Sequence, residues 1–277
     1  MLNKQTSDLP ACETLKLSLD RGILYVTLDR PETKNALNRA MVADLTEAVD
    51  YLAAHHEVRA AVVRGANATF CAGGDINGFK DMFSTPLPKA GERDGVALHN
   101  RRFGAIMSRF EALPQTIVMV VEGAAYGGGL GLMCGGDVVL AAADAKFSIS
   151  ETTLGVPPAQ IAPFVAQRIG VSRTRRLSLT AHRFDGREAE RIGLVDQACD
   201  GTAALDAALA QTMAGIMRCS PHANAVTKRL ILDSRTMPRE ELLEQSADAF
   251  AECLRGPEGQ EGVNAFLQKR KPKWMES

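Results

Sequence analysis

The sequence predicts an α/β protein, on three observations. Residues 15–20 and 23–29 alternate apolar and polar around Arg21-Gly22, the pattern of a hairpin. The β-branched run 116–121 breaks at Gly123 and passes through Gly127-Gly128-Gly129 into a small-residue helix start. From about Thr202 onward every periodic segment is helical. Strands alternating with helices and then helices alone imply an α/β core over residues 1–200 and a helical region over 201–277.

Along the chain, the hairpin leads into the polar loop Arg30-Pro31-Glu32-Thr33-Lys34-Asn35. Asn38 suits an N-cap for a helix to about His55, with Met41, Leu45, Ala48, Val49 and Leu52 on one face. A short apolar strand follows at 60–63, then a glycine bend at Ala72-Gly73-Gly74-Asp75. Residues 77–95, with Pro86, Pro88 and Gly91 among mixed charges, read as a mobile loop. A helix over 96–113 stops at Pro114. After the central strand and glycine run come strands at 138–142 and 146–149, and a loop at 151–158 with two prolines. Asp137, opening a strand in an otherwise apolar segment, reads as structural. Helical signals fill 161–180, 195–198 resembles a last strand, and helices follow at 203–217, 223–232, 240–253 and 261–269.

Composition narrows the function. With 277 residues, 45% hydrophobic and 23% charged, the chain can bury its own core. A net charge of −1 argues against a general nucleic-acid binder. No apolar run reaches the roughly 18 residues of a membrane span, and the polar first ten residues show no secretory signal. Six cysteines without CxxC or zinc spacing read as free thiols in a reducing cytoplasm. The five histidines have no ligand-like spacing, so no metal site is expected.

The glycine run lacks the third glycine in register and the distal acid of a dinucleotide fingerprint. No P-loop, GxSxG or HExxH occurs. What remains is two glycine bends, each after a strand. Glycines there either permit tight strand–helix packing or bare the backbone so that one N–H from each bend meets the same oxygen. Two such donors make an oxyanion hole, and losing one typically costs around 3 kcal/mol in the transition state.

Phe70-Cys71-Ala72-Gly73-Gly74-Asp75-Ile76, then Glu122-Gly123-Ala124-Ala125-Tyr126-Gly127-Gly128-Gly129, then Phe147-Ser148-Ile149-Ser150-Glu151-Thr152-Thr153-Leu154-Gly155 resemble the enoyl-CoA hydratase/isomerase (crotonase) family. Leu28-Asp29-Arg30-Pro31 with Asn35-Ala36-Leu37 matches its N-terminal signature, and residues 266–272 its C-terminal one. The resemblance implies a crotonase-like spiral of ββα units, with a C-terminal helical region that makes homotrimers, often paired into dimers of trimers. It places oxyanion donors at Gly74 and Gly128 and a catalytic acid/base at Glu151. Coenzyme A would arrive as part of an acyl-CoA substrate, with no separate cofactor. Its contacts would come from Arg30, Lys34 and Ala36, from the backbone of Ala72, Asp75 and Ile76, and from Phe266 and Lys269 of a neighbouring subunit. Many relatives carry Lys where this chain has Asn77, so one charge contact is missing.

The family's hydratases use two glutamates, and the position of the second is Gly131 here. Three explanations are open. Glu151 performs both proton transfers; or Asp81, Glu92 or Asp94 on the 77–95 loop substitutes; or the substrate carries its own carboxylate, which a second glutamate would repel. Residues 158–164 and 262–274 resemble members acting on branched, glutaconyl-type thioesters of acyclic terpene breakdown, which favours the third. The functions in view are hydration of a 2-enoyl-CoA, Δ3,Δ2-enoyl-CoA isomerisation, and non-catalytic acyl-CoA binding.

Overall fold

Leu15–Asp20 (β1) and Ile23–Leu28 (β2) pair antiparallel, with Leu15 opposite Leu28 and Arg21 and Gly22 turning the chain at positive φ. The computed structural model, which describes residues 9–275, continues that hairpin into a six-stranded sheet. Ala60–Gly65 (β3), Thr116–Val121 (β4), Val138–Ala142 (β6) and Gln197–Cys199 (β9) extend it in parallel, in the order β1-β2-β3-β4-β6-β9. A parallel sheet is covered on both faces, so its strands read as unbroken apolar runs rather than alternation. Every residue of β4 from Ile117 to Val121 is buried accordingly.

Ala124–Tyr126 (β5), Lys146–Ser148 (β7) and Phe184–Asp185 (β8) form a second, three-stranded sheet. It collects the segments that follow β4 and β6, namely β5 and β7, with β8 antiparallel against β7. β5 and β8 are three and two residues long, too short to leave a pattern in sequence.

The first helix, Arg39–Ala54 (α1), starts where expected: the Asn38 side chain accepts the Met41 N–H, and Met41, Leu45, Ala48, Val49 and Leu52 are buried. Part of the expected 77–95 loop is instead a helix, Ile76–Met82 (α2), because the Asp75 carboxylate caps the Asn77 N–H. Gly95–Ala112 (α3) is capped by Asp94, and Gly128–Cys134 (α4) springs from the glycine run. Two further differences have local causes. The start of the expected 151–158 loop is a 3₁₀ turn, Glu151–Leu154. The helical stretch 161–180 is two helices, Ala162–Ile169 (α5) and Val171–Thr180 (α6), broken where Gly170 takes φ 80°.

Gly186–Arg191 (α7) precedes β9, and the described chain then continues through Gly201–Arg218 (α8), Pro221–Asp233 (α9), Arg239–Arg255 (α10) and Pro257–Leu267 (α11). α8 buries Leu205, Ala208 and Met213 and packs on β6 and β9. Asp137 accepts the Ile117 N–H at 2.7 Å and pairs with Lys228 of α9 at 2.7 Å, tying the sheet to the tail.

Candidate active site

The chain leaves β3 and β4 in the same direction, and hydrogen bonds lay the two bends side by side. The Phe70 and Cys71 N–H groups donate to the Glu122 and Ala124 carbonyls at 2.9 Å, and Tyr126 N–H returns a bond to the Cys71 carbonyl at 3.0 Å. From the other side, Leu37 N–H donates to the Gly73 carbonyl and Asp75 N–H to the Leu37 carbonyl. These two bonds flank Gly74 and leave its own amide out of the bridge. Gly128 is the first residue of α4, where a helix has no internal partner for its N–H groups. A Cβ built on Gly128 would stand 3.8 Å from the Gly74 nitrogen, so the two amides are neighbours.

Two glycines are required by this geometry. Gly73 has φ 98°, and a Cβ there would lie 2.8 Å from the Tyr126 carbonyl oxygen. Gly127 has φ 48°, and a Cβ there would lie 2.8 Å from Glu151 Oε1. Both combine a backbone conformation that L side chains rarely adopt with an approach that leaves no room for one.

That second approach also locates Glu151. The 3₁₀ turn after β7 carries its carboxylate over Gly127, one residue from the Gly128 amide. Oε2 is buried without a hydrogen-bond partner. Burial raises the pKa above the ordinary carboxylate value, and the backbone N–H groups of Glu151 and Ser150 offset part of the rise. A dry, unpartnered carboxylate oxygen beside two free amides has the parts of a site that moves a proton while an adjacent oxygen takes up charge.

The place of the missing carboxylate is filled. A Cβ on Gly131 would lie 2.1 Å from Ile161 Cγ2 and 2.5 Å from its Cβ, and Ile161 is 3% exposed. Among the loop acids, Asp94 caps α3 and Glu92 accepts the Lys89 N–H at 3.2 Å, local roles in an exposed segment.

Arg30 lies beside Asp75, with both Nη atoms 3.2 Å from Oδ2, and also donates to the Ala36 carbonyl at 2.6 Å. The two side chains are 15% and 14% exposed, so the pair braces the bend from within. Lys34 is exposed, and its carbonyl accepts the Ala72 N–H at 3.0 Å; Ile76 is exposed at the start of α2. Phe266 is exposed in the last turn of α11, and Lys269 lies two residues past its end at φ 53°. The tail beyond them is held by Arg59, at the starting edge of β3, whose guanidinium donates to the Trp274 carbonyl. The glycine bends leave the other ends of these parallel strands, after Gly65 and Val121.

Sequence reasoning missed the apolar wall. A Cβ on Gly128 would meet Leu37 at 3.0 Å and Phe103 at 3.7 Å, and one on Gly74 would meet Phe79 at 2.6 Å. Phe103 and Phe79 carry no motif of their own. Only the position of Phe103 on the inward side of a helix could have suggested it.

The model of a family described as enoyl-CoA hydratase/isomerase matches residues 18–277. Among solved structures, Pseudomonas aeruginosa AtuE is 47% identical, covering 95% of this chain and 100% of that one, with a TM-score of 0.90. An enoyl-CoA hydratase/isomerase from Marinobacter aquaeolei is 41% identical over the same shares, with a TM-score of 0.92. The 2,3-dehydroadipyl-CoA hydratase of Escherichia coli K12 is 29% identical over 261 residues, 93% of this chain and 97% of that protein.

Proposed function

The chain belongs to the enoyl-CoA hydratase/isomerase family, and from that premise we propose that it adds water to a 2-enoyl-CoA thioester. The observation that carries the reading is the Glu151 carboxylate over Gly127, with Oε2 unpartnered, next to the Gly74 and Gly128 amides. In this reading Glu151 takes a proton from water as the water oxygen bonds to Cβ. The electron pair of the double bond moves onto the thioester oxygen, where Gly74 and Gly128 N–H groups receive the charge. The protonated Glu151 then returns that proton to Cα, so one water adds and the enzyme is regenerated. Because one carboxylate serves both steps, hydroxyl and proton enter the same face.

We take the substrate to be branched and glutaconyl-type, resembling isohexenylglutaconyl-CoA. Support comes from the 158–164 and 262–274 segments, and from a relative named for a thioester with a second carboxylate, 2,3-dehydroadipyl-CoA. Phe266 and Lys269 would complete the coenzyme A site of a neighbouring copy in a homotrimer or dimer of trimers. The exposed Leu243, Phe250 and Leu254 of α10 and Val263, Phe266 and Leu267 of α11 give such an assembly an apolar surface. Six free cysteines suit a reducing cytoplasm.

Isomerisation is the second reading, favoured by the apolar Ile161 where a second carboxylate would stand: Glu151 would carry a proton from C2 of a 3-enoyl thioester to C4, with no uptake of water. The product decides. A panel of enoyl- and glutaconyl-CoAs should yield products heavier by one water; unchanged mass with a moved double bond would establish the isomerase instead, and no turnover of any would leave a binding protein.

A further inference from the structure

The wall beside the Gly128 amide ends at a guanidinium that pairs with no carboxylate among the described residues. Phe103 of α3 faces Gly128, and one residue further on, Gly104 is buried beneath two polar groups. A Cβ on Gly104 would stand 2.0 Å from Gln160 Oε1 and 3.3 Å from Arg101 Nη1. Gln160 adjoins Ile161, which covers Gly131. The wall running from the Gly128 amide through Phe103 and Gly104 to Ile161 therefore ends at Gln160 and Arg101. No described carboxylate pairs with Arg101, whereas Arg30, Arg64, Arg109, Arg168 and Arg235 each have one. The surroundings add positive charge: Arg39 and Arg102, together with burial as the larger cause, hold nearby His99 below its usual pKa.

We propose that Arg101, with the Gln160 amide beside it, recognises a second carboxylate on the acyl chain of the substrate. This rests on the reading above that the site takes an acyl thioester. An exposed guanidinium offers paired N–H donors to a carboxylate, and a side-chain amide next to it can donate a further bond. The same place bears on why the pocket dispenses with the second glutamate: the acyl chain brings its own negative charge, and Arg101, with no carboxylate partner among the described residues, is a cation beyond Ile161 that can meet it. The alternative use of such an arginine, a coenzyme A phosphate, is common to every acyl-CoA and so separates cleanly in experiment.

The test compares binding of two saturated thioesters, glutaryl-CoA and butyryl-CoA, to the wild type, Arg101→Ala and Arg101→Lys, alongside turnover of 3-methylglutaconyl-CoA and crotonyl-CoA. Wild type should bind glutaryl-CoA more tightly. Arg101→Ala should lose about 10- to 100-fold in affinity for it, and a like factor in kcat/KM for 3-methylglutaconyl-CoA. The same variant should change less than about 2-fold on the two monocarboxylic thioesters, and Arg101→Lys should recover part of the loss. Equal losses on all four would assign Arg101 to coenzyme A, and unchanged glutaryl preference would remove it from recognition; either overturns the proposal. A glutaryl preference that depends on Arg101, without turnover of any enoyl-CoA, would keep this assignment and sink the hydratase reading. Turnover of crotonyl-CoA with no such preference would do the reverse.

Discussion

Ile161 covers Gly131 so closely that a Cβ on the glycine would fall 2.1 Å from Ile161 Cγ2. The missing second glutamate is thus a matter of space as well as charge. Helix α4 is buried along its length, and Ile161 starts α5, so neither side can yield without moving a helix. Gly131→Ala should therefore destabilise by roughly 1–3 kcal/mol through overpacking, a fall in Tm of about 2–4 °C per kcal/mol for a protein of this size. An unchanged Tm in thermal unfolding would show that the α4–α5 contact gives way easily.

A glutamate restored at 131 alone would mix this strain with its charge. Repulsion between a second glutamate and a substrate carboxylate, which would make Gly131→Glu harm glutaconyl thioesters more than crotonyl-CoA, is readable only with Ile161 cut back. The Gly131→Glu/Ile161→Ala pair should show a selective loss in kcat/KM on the glutaconyl substrate, whereas Gly131→Glu alone should lose activity on both. Equal effects of the double variant on both substrates would dispose of charge repulsion as the reason for the glycine.

Gly127 separates the amide of Gly128 from the carboxylate of Glu151. Its φ of 48° and the 2.8 Å approach of Oε1 to a would-be Cβ mean that Gly127→Ala pushes the carboxylate away as well as straining the bend. Displacement of about 1 Å can cost on the order of 10² in rate. Steady-state assays of Gly127→Ala should show that loss chiefly in kcat, with KM changed far less; a rise confined to KM would mean the bend serves binding instead.

The raised pKa of Glu151 has consequences of opposite sign for activity and stability. As a base the carboxylate must be ionised, so kcat/KM should fall as pH drops through a value above the ordinary glutamate range of about 4.3. For stability, the native state holds this proton more tightly than the unfolded chain does. Its contribution therefore weakens as pH rises from the unfolded value through the raised native one, and is level above that. Glu151→Gln should consequently melt higher than wild type at neutral pH, with the gap closing in acid. A variant that melts lower at neutral pH would show that the ionised carboxylate is well solvated or paired.

Much of the architecture was legible because its signals are local. Asn38 announces α1, Pro114 ends the segment after α3, and the β-branched apolar run 116–121 reads as a buried strand. The glycine bends stood out for the same reason, since bare backbone between a strand and a helix is rare without cause. What stayed hidden depends on partners distant in sequence. The helix α2 forms because Asp75 turns inward to Arg30 and caps it. The occupation of Gly131's space is a property of Ile161, thirty residues away, and the unpartnered state of Arg101 is a property of everything around it.

Glu151 as the group that performs both proton transfers is the central claim. Its most direct test follows product mass from crotonyl-CoA with wild type and Glu151→Gln, with binding of butyryl-CoA as the control for an intact pocket. The expected result is a product one water heavier from wild type and a rate lower by about 10²- to 10⁴-fold in the variant, at unchanged butyryl-CoA affinity. Near-normal turnover by Glu151→Gln would contradict it.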